Sequence, residues 1–456
     1  MSGASEWEYA VVGGGIAGLA VAEALARGGH SVVLIERNQR LCQEASAAQH
    51  GWFHLGSLYS ILPRNQFLRT MVGGVEDLIS YYGGFPGMNI AVTDDGRLSF
   101  PPAVGAWFRD EPIEYIVAAR NDADFDMRTF GGARRYAEKL FFLLTWEMAI
   151  KQFISRHQRF HKHDWSGALP ASQWIPRAGW RDYSRAVISK PNTADINLDR
   201  DTHFRIVGFD RPMRATAIIS DLARGLVGAG GSVLTGREVV GLEDGGSGTL
   251  VHTDGETLKA RTAIVAAGKW LGRFVAGAAD VRVVGSPLLV AYPAVADANF
   301  VRMTPFVDRS VNHLRHRVNG REYSLVGGGH ACDPDDPGAA GVARERLMAM
   351  AERVFPRLGQ ATVVQTYLGS KTEIAAASGE RNYQYFIRQI GPSAFAVTPG
   401  KFSLAFSLAV NACTRLTGAW PSGTVRLAPP AAVADLVGQT RHATIVAGAT
   451  SAAEAA

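Results

Sequence analysis

The chain is poor in cysteine. Its three cysteines, Cys42, Cys332 and Cys413, lie far apart among 456 residues, and no two form a C-x-x-C pair. This spacing excludes a local zinc or iron–sulfur knot, and the odd number argues against a disulfide framework. It also excludes the closely spaced redox-active pair of disulfide reductases. We therefore expect no metal site and a reducing, cytoplasmic compartment.

Long apolar runs and a strong charge bias are also missing. No stretch of about 18 apolar residues occurs, so no membrane span is expected. Glu6 and Glu8 precede the first short apolar run, which argues against a signal peptide. The net charge is +5, with the basic residues scattered along the chain. This mild excess suits an anionic substrate, a diphosphate cofactor or an anionic membrane surface, and it implies no nucleic acid.

The most informative stretch is Tyr9–Glu36. An apolar run predicts a buried strand, and Gly13, Gly15 and Gly18 follow it as G-x-G-x-x-G. The Ala/Leu-rich segment Ile16–Arg27 predicts a helix, and a second apolar run ends at Glu36. In such a βαβ unit the first glycine permits a tight turn, the second lets a pyrophosphate approach the backbone, and the third lets helix and strand pack closely. The phosphates would face a helix N-terminus, and the acid would bind a ribose. These features in this order predict a dinucleotide site.

The chain is too long for one small core, so two or three domains are expected. A helix over 212–228, several short strands and a buried strand ending at residues 266–268 predict the second half of the nucleotide-binding domain. From residue 285 a different sheet is expected, with a hairpin at Asn319-Gly320 and a helix over 343–355. No second dinucleotide motif follows, so electrons must come from a bound substrate and not from a nicotinamide.

Three other segments carry weaker predictions. Residues 133–163 form a basic, amphipathic pattern that suits the packed side of a domain or, alternatively, a membrane surface. Residues 164–204 are rich in aromatics, prolines and glycines, and suit an irregular insert that covers a site. The tail from Ala428 is rich in alanine and low in aromatics, so we expect it to be partly disordered.

Two motifs carry a family resemblance. Gly51-x-x-His54-x-Gly56-x-x-Tyr59 is similar to a histidine–glycine loop, and Gly400-Lys401-Phe402-Ser403 to a glycine–lysine turn, of the FAD-dependent D-amino-acid oxidase superfamily. Its branches include glycine oxidase, glycerol-3-phosphate dehydrogenase and L-2-hydroxyglutarate dehydrogenase, and the resemblance covers both ends and the middle of the chain. It implies an α/β fold. A Rossmann-like FAD-binding domain of the glutathione-reductase type (1–90, 205–284 and 365–456) would join a mixed-sheet substrate domain (91–204 and 285–364).

The resemblance implies FAD as the cofactor. Val239 or Val240 would lie near the adenine, and residues 266–268 near the ribityl and phosphate groups. The candidate FAD-binding residues are Gly13, Gly15, Ile16, Ala17, Gly18, Glu36, Arg37, Ser46, Gln49, His50, Val239, Ala266, Ala267, Gly268, Trp270, Gly369, Gly400, Lys401, Phe402 and Ser403.

Three side chains are candidates for catalysis. His54 suits a base acting on a substrate hydroxyl, because an unperturbed histidine titrates near working pH; a structural role or covalent attachment to the flavin are alternatives. Lys401, at a helix start, is expected to stabilise negative charge that develops on the flavin, unless it is a solvated loop lysine. Lys371 follows a predicted strand where oxidases of the family often place an arginine, which argues against a simple amino-acid substrate. Three strand arginines are further candidates for holding an anion, with a solvated strand residue as the equal alternative for each: Arg315, Arg317 and Arg388.

The sequence therefore predicts an FAD-dependent oxidoreductase. It would take a hydride from a CH–OH carbon of a small anionic substrate, such as a 2-hydroxy acid, and pass electrons to oxygen or a quinone. One alternative is an amine or amino-acid oxidase acting on a CH–NH bond. Another is a peripheral membrane dehydrogenase that reduces a quinone, although membrane association is not favoured. The last alternative is a flavin-binding protein that catalyses no reaction.

Overall fold

A computed structural model of the chain describes residues 6–55, 65–92, 98–118, 188–198, 203–208, 210–275, 281–303, 310–375, 381–382 and 384–455. The predictions for residues 133–163, for most of 164–204, and for Gly56 and Tyr59 lie outside these ranges.

The helices are α1 (Ile16–Arg27), α2 (Asn65–Tyr82), α3 (Ala215–Gly228), α4 (Pro337–Val354), α5 (Ala405–Thr417) and α6 (Arg441–Ala455). The strands are β1 (Glu6–Val12), β2 (Val32–Glu36), β3 (Trp52–Phe53), β4 (Ala91–Val92), β5 (Leu98–Ser99), β6 (Glu114–Ala118), β7 (Ile188–Ser189), β8 (His203–Val207), β9 (Arg211–Pro212), β10 (Ser232–Thr235), β11 (Val239–Asp244), β12 (Thr249–Thr253), β13 (Thr257–Val265), β14 (Val281–Tyr292), β15 (Phe300–Met303), β16 (Val311–Val318), β17 (Arg321–Gly328), β18 (Val363–Ala375), β19 (Arg381–Asn382), β20 (Phe386–Gly391) and β21 (Ala394–Thr398).

The first sheet has the strand order β10-β2-β1-β13-β12-β11, with β21 beside β13 and β20 beside β21. Strands β10, β2, β1, β13 and β21 run parallel, and β11 and β12 form an antiparallel meander against β13. Because parallel strands end at one edge of a sheet, the segments that follow β1, β2, β13 and β21 converge there, where such sheets bind ligands. The predicted Rossmann-like fold is confirmed.

Helix α1 is the centre of this layer. All of its residues are buried, and it contacts both α3 and α5. This full burial explains the Ala/Leu-rich composition of α1, because small and aliphatic side chains let a helix pack against neighbours on every side. A Cβ added at Gly18 would overlap the carbonyl oxygen of Gly13, so a side chain does not fit there. Gly18 thus has the close-packing role that the glycine spacing predicts.

The second sheet is mixed and has the order β19-β18-β14-β17-β16-β15-β6-β8-β7. Helices α4 and α6 cover its two faces. Along β14, Leu289 packs in a cluster with Leu347 of α4, while Leu288 packs in a cluster with Val446 of α6. Successive residues of a strand point to opposite faces, so this alternation sets one helix on each side.

Helix α6 shows that the prediction of a partly disordered tail is wrong. The tail contains a helix whose His442 and Val446 are buried against the second sheet. Its low content of large apolar residues hid it, because an alanine-rich helix needs only a few buried side chains to pack closely.

Strand β18 also differs from the expectation. It continues to Ala375, so Lys371 lies inside a strand and does not follow one. Residues 281–284 and 365–375 pair in the second sheet through β14 and β18, although they were expected with the nucleotide-binding domain. The division into two domains at the boundaries given above stays a prediction.

Candidate functional site

A cavity of about 460 Å³ opens where the parallel strands end. This volume is within the usual range of small-molecule sites. From the first sheet it is lined by segments that follow β1, β2, β13 and β21, and from the second by residues of β14, β17 and β18. The cavity therefore lies between the two sheets.

Most of the candidate FAD-binding residues line this cavity. They are Gly13, Gly15, Ile16, Ala17, Glu36, Arg37, Ser46, Gln49, His50, Val239, Ala266, Ala267, Gly268, Trp270, Gly369, Gly400, Lys401 and Phe402. Gly18 and Ser403 are not part of the lining: Gly18 packs beneath the loop, and Ser403 is buried in the 3-10 turn Phe402–Leu404. Val239 lines the cavity, whereas Val240 is 66% exposed. The binding roles of these residues stay predictions.

The glycine loop has two different requirements for glycine. Gly13 has φ +103°, and an added Cβ would lie 2.7 Å from the carbonyl oxygen of Ala266, so the turn itself excludes a side chain. Gly15 is the N-cap of α1 with φ −68° and ψ 175°. A Cβ there would lie 3.6 Å from Ser46 Oγ, an ordinary van der Waals contact. Gly15 therefore leaves open space beside a helix N-terminus, as a diphosphate would need.

Glu36 has a role in the loop that sequence reasoning missed. One carboxylate oxygen accepts a hydrogen bond from Gly14 N at 2.6 Å. The other accepts from Asn38 N at 2.8 Å and Asn38 Nδ2 at 2.7 Å. A carboxylate offers about four acceptor sites, so one remains for the predicted ribose contact. Glu36 thus fixes the glycine loop whatever it does for a ligand.

Trp270 marks the same end of the cavity. Its ring lies 4.6 Å from the guanidinium carbon of Arg37, 4.3 Å from that of Arg273 and 5.2 Å from Nζ of Lys269. Its Nε1 is buried and has no hydrogen-bond partner among the described residues. Buried donors are normally satisfied, so Trp270 Nε1 is available to donate to a polar ligand group in this cavity.

The three candidate catalytic residues share this cavity. His54, Lys371 and Lys401 all line the cavity. Burial lowers the pKa of His54 to about 4; Asp210 opposes this shift, and the charges of Lys401 and Lys371 add to it. Lys371 Nζ lies 3.8 Å from Oε1 of the buried Glu373. Lys401 occupies the N-cap position of the 3-10 turn Phe402–Leu404 that leads into α5, which is the predicted helix start.

Asp210 is the functional candidate that sequence reasoning missed. It is fully buried and lies 3.5 Å from His54, measured from Oδ2 to Nδ1. Asp210 stands alone between a strand and Arg211-Pro212, with no motif around it, so the sequence carried no signal for it.

The predicted anion-binding arginines do not line the cavity: Arg315 and Arg317 pair with Glu322, and Arg388 lies over Phe386.

Comparison with known proteins identifies the family. A family model described as FAD dependent oxidoreductase matches residues 8–387. The chain belongs to this family. It is therefore an FAD-dependent oxidoreductase, and the resemblance predicted from the motifs is confirmed. A search of curated proteins finds no match.

Solved structures share the fold at low sequence identity. Glycine oxidase from Geobacillus kaustophilus is 15% identical with a TM-score of 0.57, and the match covers 93% of this chain and 98% of that one. NikD, an amino acid oxidase essential for nikkomycin biosynthesis, is 14% identical with a TM-score of 0.61, covering 96% and 98%. L-α-glycerophosphate oxidase from Mycoplasma pneumoniae, solved with FAD bound, is 17% identical with a TM-score of 0.60, covering 93% and 99%.

The cavity fits the FAD that the family uses. Its open glycine at a helix N-terminus suits a diphosphate, and the unpartnered Trp270 Nε1 suits a polar group of the cofactor. Among the helices in the described ranges, none has the length and hydropathy needed to cross a bilayer.

Proposed function

We propose that this enzyme oxidises a CH–OH carbon of a small anionic substrate, such as a 2-hydroxy acid. The observation that carries the proposal is that His54, Lys371 and Lys401 line the same cavity and that both lysine charges act on His54. Burial is the main reason for the low pKa of His54, and the charges of both lysines lower this pKa further. A base beside two cations is the arrangement that an anionic alcohol substrate needs.

Each of these side chains has a distinct part in the proposal. At pH 7 His54 is neutral, because its pKa is about 4, so it can accept the proton of a substrate hydroxyl. Lys371 and Lys401 attract the anionic group of the substrate and hold the alcohol carbon in place. When bound, FAD supplies the ring that accepts the hydride from that carbon. Oxygen or a quinone is the proposed final electron acceptor.

Anaerobic titration of the FAD-loaded enzyme tests this proposal. Lactate, malate, 2-hydroxyglutarate and glycerol 3-phosphate are added one at a time, each of the first three beside its amino-acid counterpart: alanine, aspartate or glutamate. We expect at least one hydroxy compound to bleach the visible flavin absorbance, and its amino counterpart to leave it unchanged. Bleaching by the amino acids alone would refute the proposal.

The role of the lysines is tested separately. Lys371→Gln should raise the substrate concentration needed for half-maximal flavin reduction by about tenfold or more, because one charge-assisted contact is worth about 1.5–3 kcal/mol. Arg317→Gln is the matched control, since it removes a positive charge from the same sheet outside the cavity. Equal effects of the two substitutions would mean that Lys371 acts only through the overall charge.

The second candidate is oxidation of a CH–NH bond. It is favoured by the similarity to glycine oxidase and to NikD, whose names describe amino-acid oxidases. The titration above separates the two candidates. The peripheral membrane alternative depends on residues 133–163, which lie outside the described ranges. We propose a cytoplasmic location, supported by cysteines that are free in the structure.

A further inference from the structure

Asp210 is held by three donors from two separate parts of the chain, the segment Trp52–Leu55 and Tyr115. Its Oδ2 accepts hydrogen bonds from Trp52 Nε1 at 2.9 Å and from Tyr115 OH at 2.7 Å. Its Oδ1 accepts one from Leu55 N at 2.8 Å. The carboxyl group is fully buried. These donors fix both oxygens, so the carboxyl cannot turn away from its neighbours.

These contacts also set the charge of Asp210. Burial alone raises the pKa of a carboxyl group. Here the interactions with His54, Tyr115 and Leu55 outweigh burial, and the pKa of Asp210 lies below its usual value. The group is therefore a carboxylate at neutral pH, and a carboxylate can only accept hydrogen bonds.

His54 lies between this carboxylate and the cavity. Its Nδ1 is 3.5 Å from Asp210 Oδ2, and its side chain is 13% exposed and lines the cavity. The Trp52 ring, with its centroid 4.3 Å away and tilted by 37°, limits how the imidazole can rotate. Contacts of this length in a catalytic pair commonly shorten when substrate binds.

We infer that Asp210 is a positioning residue that holds His54 with its proton on Nδ1 and its lone pair on Nε2. Nε2 would then be the atom that takes the hydroxyl proton, and the Asp210 charge would stabilise the imidazolium that results. Lys371 and Lys401 act in the opposite sense, because their charges disfavour that cation. This inference rests on the base role of His54 in the proposed function.

The tautomer can be measured without any substrate. The FAD-loaded enzyme is labelled with ¹⁵N-histidine, and the signals of His54 among the 12 histidines are assigned by their loss in His54→Asn. At pH 7.5 we expect the Nδ1–H form in the wild type, although free histidine favours Nε2–H. In Asp210→Asn the amide can donate to Nδ1, so the Nε2–H form should appear. Nε2–H in the wild type would overturn the inference.

A kinetic comparison uses the hydroxy compound that reduces the flavin. Asp210→Asn should slow anaerobic flavin reduction by roughly 10²–10⁴-fold, as expected when a base is held in the wrong tautomer. Combining it with His54→Asn should cost little more than either change alone, because the two residues act as a unit. Tyr115→Phe is the matched control: it removes one donor to the same carboxylate and should slow reduction by less than about tenfold.

The outcomes separate the inference from the proposed function. Equal losses in Asp210→Asn and Tyr115→Phe, or additive losses in the double variant, would make Asp210 merely structural. If Asp210→Asn fails to bind FAD, the wild-type tautomer decides the question. If no hydroxy compound reduces the flavin, the proposed function fails, while the NMR measurement still tests how Asp210 positions His54.

Discussion

Replacing Gly15 by alanine should weaken FAD binding and leave the apoprotein fold intact. Gly15 has φ −68° and ψ 175°, which alanine adopts without strain. The nearest atom to the added Cβ would be Ser46 Oγ at 3.6 Å. A glycine-to-alanine change at a compatible position stabilises a protein by about 0.4–1 kcal/mol. The free energy of unfolding of the apoprotein should therefore stay the same or rise by that amount.

Only the affinity for FAD should decrease. The methyl group would stand at the N-terminus of α1, where N–H groups bind a diphosphate at about 2.7–3.2 Å. A carbon atom in that space keeps the phosphate oxygens out of hydrogen-bond distance. Losing one charge-assisted hydrogen bond costs about 1.5–3 kcal/mol, which corresponds to a Kd for FAD raised about 10- to 100-fold.

The measurement needs two readouts on deflavinated protein. Urea unfolding gives the stability of the apoprotein, and FAD titration followed by flavin fluorescence gives the Kd. Gly341→Ala in α4 is the matched control, because no atom lies within 4 Å of the added Cβ and it is outside the cavity; its Kd should not change. Gly13→Ala should instead destabilise the apoprotein, because its backbone conformation and Ala266 oppose a side chain. Wild-type FAD affinity in Gly15→Ala would refute the reasoning.

Three further predictions follow from charge and packing. Lys401→Met should raise the pKa of His54, since it removes a neighbouring positive charge. The acid limb of the pH profile of flavin reduction should then move to higher pH; a limb that does not move would contradict this. Burial raises the pKa of Glu23 to about 7, compared with about 4.3 in the unfolded chain, so the free energy of unfolding should fall as pH rises through this interval. Urea unfolding at pH 5 and pH 8 should show a smaller fall in Glu23→Gln than in the wild type. Deleting residues 439–456 uncovers the sheet face under Val446 and should lower the Tm; an unchanged Tm would show that α6 adds nothing to the core.

The parts that sequence predicted in detail are those with local causes. The predicted helix Ile16–Arg27 has the bounds of α1. Glycine spacing, strand length and helix composition are all contained in about thirty residues, so nothing distant was needed. The hairpin between β16 and β17 is similar: Asn319 and Gly320 both have positive φ, as the two-residue turn requires.

The errors have non-local causes. Lys371 was expected after a strand that ends before Gly369, yet pairing with β14 extends β18 through Gly369 and Ser370. The C-terminal helix was missed because its burial depends on a sheet face built from residues over one hundred positions earlier, such as Tyr323. Pairing and burial of this kind are not encoded in the local pattern.

The sequence by itself predicted a dinucleotide site from one contiguous βαβ unit and, through the family resemblance, the FAD cofactor that the family confirms. It also named His54, Lys371 and Lys401, but as three unrelated candidates. Only the tertiary structure brought them to one cavity and placed Asp210 next to His54. The physical reason is that a pKa and a tautomer depend on burial and on neighbouring charges, and these neighbours come from strands and turns far apart in the chain.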